Sequence, residues 1–252
     1  MNGPNPLKAA WSMFRNQRTI RRPRRFGGTA VEHSALTSPL AALAAGGTPA
    51  LEQIQPDLDS YIGEMSGVDP EQLSRPEALA FWLNLYNAGA LRLAADAFAS
   101  GEESVLRVPG AFDKPFVVVG GETLSLDANE HAKIRRFGDP RIHAAIVCGS
   151  ISCPTLRAEP YEGGRIHEQL DSQMNTCLSS GGASVSGDTL MLSRVFLWYG
   201  ADFVRPNRMP TWIPASRKRV AHALRPWLGD ASIERLQIEF QPYDWGLRCS
   251  VG

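Results

Sequence analysis

Three groups of residues in this chain have the types and spacing for chemistry. The first is Asn84 and Asn87, three apart and so neighbours on one face of a helix that is otherwise apolar. A buried amide without partners costs about 1–3 kcal/mol, so something must answer both. They either hold a loop's backbone or line a polar pocket and supply oxyanion donors. The second is Glu130-His131, near the start of a short helix, where an acid is also favoured by the helix dipole whatever its function. Adjacent helical residues differ by about 100° around the axis, so this Glu and His need not serve one partner. The third is the run from Arg141 to Pro154, in which apolar residues lead to Cys148-Gly149-Ser150 and then to Cys153. A thiol at the end of an apolar segment, followed by Gly and Ser, sits beside main-chain amides able to hold an anion, as a nucleophile does. Cysteine is also a small hydrophobe of protein cores, and Cys177 and Cys249 are read that way.

These residues suggest a thiol hydrolase or acyltransferase. Cys148 would attack an amide or ester carbonyl, and His131 or His143 would take and return the proton. Glu130 would orient the imidazole, and Gly149-Ser150 or the two asparagines would hold the oxyanion. If residues 142–148 form a regular strand, His143 and Cys148 lie about 16 Å apart on opposite faces, which leaves His131 the freer partner. A zinc site at Cys148, Cys153 and His143 is a weaker alternative, because a second ligand pair is missing. No cofactor is expected. A non-catalytic module that binds a protein or peptide is the alternative from another class.

The elements that must position these residues follow from the apolar pattern. Residues 32–56 read as helical, broken at Gly46-Gly47 and Pro49. Ser74-Arg75-Pro76-Glu77 is a capping-box signature, and the helix it opens, to about Phe98, is apolar on nearly every face and must be central. Phe116–Val119 and Thr123–Leu126 around Gly120-Gly121 read as a hairpin, and about Asp127 to Arg136 as a short helix. The continuous apolar run Ile142–Cys148 predicts a strand covered on both faces. A helix over Ile166–Leu178 follows, then a strand ending at Met191-Leu192. Ser193 caps a further helix, Pro214 starts the last one, and a closing strand lies near Ile238–Phe240. The expected class is α+β, with a mainly antiparallel sheet against a buried central helix.

The 252 residues, 43% hydrophobic and 21% charged, suffice for one sizeable domain, expected over 32–252 behind a flexible leader at 1–31. Seven of the 26 basic residues lie in that leader, which holds no acid, so the rest is acidic by seven charges. Such a body is a poor partner for nucleic acid, and only the leader is suited to touch an anionic surface, Trp11, Met13 and Phe14 allowing a short amphipathic helix. No apolar run of about 18 residues could span a membrane. Leu7–Trp11 does not resemble the apolar core of an export signal, so a cytoplasmic location is expected.

Several blocks, in order, resemble the domain-of-unknown-function 547 family: Phe81-Trp82-Leu83-Asn84-Leu85-Tyr86-Asn87-Ala88, Glu130-His131, residues 139–154 and 193–203, and Tyr243-Asp244-Trp245. They span about residues 70–248. The resemblance implies a papain-like cysteine-hydrolase scaffold with a Cys-His-acid set. By position, its nucleophile falls on Cys148, its acid on Glu130, its histidines on His131 and His143, its second cysteine on Cys153 and its helix amides on Asn84 and Asn87. Asn129 departs from the family's more apolar segment before the acid. The order acid, His, Cys also reverses papain's Cys, His, Asn, so any kinship is rearranged or convergent.

Overall fold

A computed structural model describes residues 3, 6–23, 25–211, 213–229 and 235–252. The long helix α4 (Arg75–Ala99) is the axis of the molecule. Ser74 begins it by accepting from the Glu77 amide at 3.5 Å. Every residue from Ala78 to Leu91 is buried, as its all-round apolarity demands. The Glu77 carboxylate does not complete a reciprocal cap. It lies against Gly163, where any Cβ would fall 2.3 Å from the carboxyl carbon.

Around α4 pack α2 (Thr37–Gly46) and α3 (Leu51–Ser66), joined by a 3₁₀ turn at the expected Gly47-Pro49 break. Strands β1 (Pro115–Val119) and β2 (Glu122–Ser125) form the expected antiparallel hairpin. Helix α7 (Ile166–Cys177) precedes the second sheet, β3 (Ala183–Ser186), β4 (Thr189–Leu192) and β5 (Gln237–Phe240), in spatial order β3-β4-β5. β3 pairs antiparallel with β4, and β5 joins β4 in parallel after helices α8 (Val195–Val204), α9 (Arg217–Ala223) and α10 (Arg225–Leu228). The fold is α+β, with two small sheets set against a larger helical body. Ahead of the domain, α1 (Pro6–Thr19) turns Ser12 and Asn16 inward, and the Ser12 hydroxyl donates to Asp127 at 2.7 Å. Among the described residues no helix is long and apolar enough to cross a membrane.

Four elements differ from expectation. The segment after β2 is not a single α-helix. A short α5 (Leu126–Ala128) widens into a π-helical turn over Asn129–Lys133 and tightens into a 3₁₀ turn over Ile134–Phe137. The Ile142–Cys148 strand is also corrected: Ile142–Ala145 is a one-turn helix, α6, and extended backbone begins only at Ile146. Asp139 accepts from the Arg141 amide at 3.1 Å and bends the chain into that turn. A short apolar run fits a buried helical turn and a buried strand equally well by pattern. β3, with mainly exposed side chains, carries little apolar signal and was not expected. Pro214 lies ahead of α9 rather than in its first turn.

Candidate functional site

Cys148 stands where α6 has ended and the chain is held extended by α4. The Asn87 Nδ2 donates to the Ala145 carbonyl at 3.0 Å, and its Oδ1 accepts from the Val147 amide at 3.1 Å. Asn84 does the same for the next loop, donating to the Tyr161 carbonyl (2.8 Å) and accepting from the Tyr161 amide (2.9 Å). Each amide replaces a strand neighbour for a segment that has none. The asparagines therefore hold loop backbone, one of the two roles open to them from sequence.

Beyond Cys148, Gly149 takes the left-handed conformation (φ +75°) and the chain turns so that the Cys153 amide donates to the Ser150 carbonyl at 3.0 Å. The turn brings the Cys153 sulfur to 3.1 Å from the Cys148 sulfur, where it also accepts from the Cys148 amide at 3.0 Å. The C-terminal segment runs alongside, Ile151 donating to Gly246 and Arg248 to Gly149. Its Tyr243 hydroxyl lies 3.2 Å from the Cys148 sulfur and 2.8 Å from the Ser150 hydroxyl, which is itself 3.0 Å from the sulfur. Cys148 remains partly exposed. Tyr243, Trp198 and Trp245 form a ring cluster beside it, with centroids 4.6–5.8 Å apart.

The donors around this sulfur favour its ionised form. The Cys153 thiol, then the Ser150 hydroxyl, the Tyr243 hydroxyl and the Ser150 amide hold Cys148 down to about 6 against the effect of burial. Burial, then the Cys148 hydrogen bond and charge, push Cys153 up, in the opposite direction to Cys148. None of the hydrogen bonds to Cys148 among the described residues comes from an imidazole. The thiolate is held by neutral donors and not by a histidinium.

The other candidates form a buried cluster alongside. Burial lifts Glu130 to about 7, the negative charge at Cys148 adding to this while Arg135 and the Tyr199 hydroxyl oppose it. Its Oε1 makes no hydrogen bond among the described residues, and the Tyr86 hydroxyl approaches Oε2 only to 3.5 Å. His131 Nδ1 faces Glu130 at 3.5 Å and Arg135 at 3.4 Å. A guanidinium only donates, so this nitrogen serves as acceptor. Burial, Arg135 and His143 keep His131 neutral, its pKa well below the usual histidine value. His143 Nε2 lies 2.9 Å from the Asp202 carboxylate, with its Nδ1 buried and unpartnered. Burial lowers His143 although Asp202 resists. Burial raises the Asp202 pKa, but His143 and Arg135 more than offset this and hold the carboxyl below its ordinary range. Arg135 closes the group, donating to Asp202 at 2.9 Å, and the Tyr199 ring stacks on His143 at 4.1 Å.

Asp202, Arg135, Tyr199 and Tyr243 had no role assigned from sequence. Asp202 left a signal: it is the sole acid in Val195–Val204, and a charge inside an apolar helix needs a partner. The zinc alternative finds no geometric support, since no three His, Cys, Asp or Glu side chains group as metal ligands among the described residues.

Residues 70–178 match the family model described as Protein of unknown function, DUF547. The matched segment contains Asn84, Asn87, Glu130, His131, His143, Cys148 and Cys153, while Tyr199, Asp202 and Tyr243 lie beyond it. No curated protein and no solved structure matches the chain, so the papain-like scaffold has no structural counterpart to support it.

Proposed function

We propose that this protein is a thiol-dependent hydrolase or acyltransferase acting on an amide or ester bond through Cys148. The observation that carries the reading is the convergence of two hydroxyls, a thiol and a main-chain amide on the sulfur of a partly exposed cysteine. A thiolate formed in this way attacks a carbonyl without first passing a proton to a base. The Ser150 amide, beside the sulfur, is placed to receive the oxyanion. Glu130, with a pKa of about 7 and an unpaired oxygen, is the proton donor and acceptor within charge range of the nucleophile. His143 is tied to Asp202 and stacked on Tyr199, and His131 lines the same cluster beside Glu130.

Iodoacetamide labelling of Cys148 across pH tests the first step, with half-maximal rate expected near pH 6. A midpoint near the free-thiol value of about 8.5 would overturn it. Mass spectrometry after exposure to an activated aryl ester tests the second. Wild type should acylate on Cys148 and turn over, and Glu130→Gln should accumulate the acyl form. No acylation of Cys148 in either protein would reject the enzyme reading.

The alternative, a non-catalytic protein- or peptide-binding module, is favoured by one observation: the ring cluster of Trp198, Tyr243 and Trp245, with Trp198 43% exposed. Such surfaces are enriched where partners dock. Under this reading Cys148→Ser leaves partner binding intact.

The leader's contact with an anionic surface is supported by α1, whose outward face carries Leu7, Trp11 and Phe14 beside Lys8, Arg15 and Arg18. The protein should sediment with phosphatidylserine-containing vesicles and not with phosphatidylcholine alone, and Trp11→Ala should weaken this. Equal sedimentation with both vesicle types would remove the proposal.

A further inference from the structure

We propose that Cys148 and Cys153 are a peroxide-reactive dithiol that closes reversibly into an intramolecular disulfide. The two sulfurs are 3.1 Å apart within one turn of chain, and a disulfide needs about 2.05 Å, so closure asks for a movement of roughly 1 Å. Both cysteines lie in a loop and both are partly exposed, whereas Cys177 and Cys249 are buried. The inference uses neither Glu130 nor the imidazoles and stands whether or not the protein transfers acyl groups.

The steps balance with a hydroperoxide as the oxidant. The Cys148 thiolate attacks the terminal peroxide oxygen, so an S–O bond forms and the O–O bond breaks. The departing hydroxide or alkoxide takes a proton from solvent, and Cys148 is left as a sulfenic acid. The Cys153 sulfur then attacks the Cys148 sulfur. The S–S bond forms, the S–O bond breaks, and hydroxide leaves as water with the Cys153 proton. Two thiols lose two electrons, and hydrogen peroxide becomes two waters. The arrangement suits both steps. The Ser150 and Tyr243 hydroxyls lie 3.0 and 3.2 Å from the first sulfur, within hydrogen-bond reach, and Cys148 is partly exposed. Once Cys148 carries no negative charge, a main cause of Cys153 holding its proton is removed, and the Cys148 amide, 3.0 Å away, is placed to stabilise the second thiolate. While the disulfide is closed Cys148 cannot act as a nucleophile, so the same pair would switch the proposed acyl chemistry off under oxidation.

Tryptic digestion offers a direct reading, because both cysteines lie in the single peptide Ile142–Arg157. The full-length protein is treated with one equivalent of hydrogen peroxide, alkylated and digested. The expected peptide is lighter by two hydrogens, unalkylated at both positions, and returns to the doubly alkylated form after dithiothreitol. In Cys153→Ala the reaction should stop at the sulfenic acid, and dimedone should capture Cys148 there but not in wild type. A wild-type peptide carrying sulfinic or sulfonic Cys148 beside an alkylated Cys153 would overturn the proposal. So would a Cys148–Cys249 bond, or equal dimedone capture in the two proteins. The wild-type peptide decides the matter even if the variant does not fold. These readouts are thiol state and mass, so their failure is distinct from failure to acylate.

Discussion

Glu130 sits in an environment at odds with its type: a buried carboxyl beside Tyr86 and His131, with one oxygen unbonded among the described residues. Its pKa goes from 4.5 to about 7 on folding, so the folded chain keeps a proton that the unfolded chain loses between those values. Glu130 therefore favours folding fully below about pH 4.5, and that contribution is lost as pH rises through 7. Glu130→Gln cannot ionise. Its stability relative to wild type should climb across this window by up to about 3 kcal/mol, read from urea denaturation near pH 5 and near pH 8. A difference that does not change with pH would show that this carboxyl is not what titrates. The lowered Cys148 pKa works in the opposite direction in wild type, favouring folding increasingly from about 6 up to 9, which is why the comparison of variants isolates the carboxyl.

At the scale of elements, α4 acts as a template that lends hydrogen bonds to loops. Asn84 and Asn87 are one helical turn apart and each closes a two-bond ring with main chain, but the rings hold different segments. Replacing either with Ala strands a buried donor and a buried acceptor, at roughly 2–5 kcal/mol in denaturant unfolding. Asn87→Ala should also shift the pH profile of Cys148 alkylation, because it frees Val147, the residue that precedes Cys148. Asn84→Ala should lose stability with the profile unchanged. If both variants shift the profile alike, the helix influences the site through general loosening and not through this clamp. The π-helical turn at Asn129–Lys133 is the second device: all five of its residues are buried, so Glu130 and His131 both face protein although neighbours in a helix point in different directions.

Across the whole molecule, the site joins a loop from the middle of the chain to its C-terminal segment. The loop from Cys148 to Leu156 is paired by residues 243–252, which deliver Tyr243 across 95 positions of sequence to the sulfur. Tyr243→Phe removes one hydroxyl donor and keeps the ring in the aromatic cluster. A hydrogen bond to a charged group contributes about 1.5–3 kcal/mol, so the alkylation midpoint of Cys148 should rise by about 1–2 pH units with little change in thermal stability. An unchanged midpoint would leave Ser150 and Cys153 as the donors that matter. By the same closure the C-terminal segment sets a hydroxyl beside Cys148, where the sequence leads one to expect an imidazole.

The amino-acid sequence by itself determined the central helix, the β1–β2 hairpin, α7, β5 and the α+β class, because all-round apolarity, capping residues and turn glycines act over a few neighbouring positions. It also singled out Cys148, Glu130 and the two asparagines as residues out of keeping with their surroundings. Only the tertiary structure decided what answers each of them. A partner 44, 59 or 95 positions away leaves no local pattern, as with Tyr86 for Glu130, Asp202 for His143 and Tyr243 for Cys148. Nor does local pattern separate a buried helical turn from a buried strand at Ile142–Ala145, since both bury every side chain and differ only in where their backbone hydrogen bonds go.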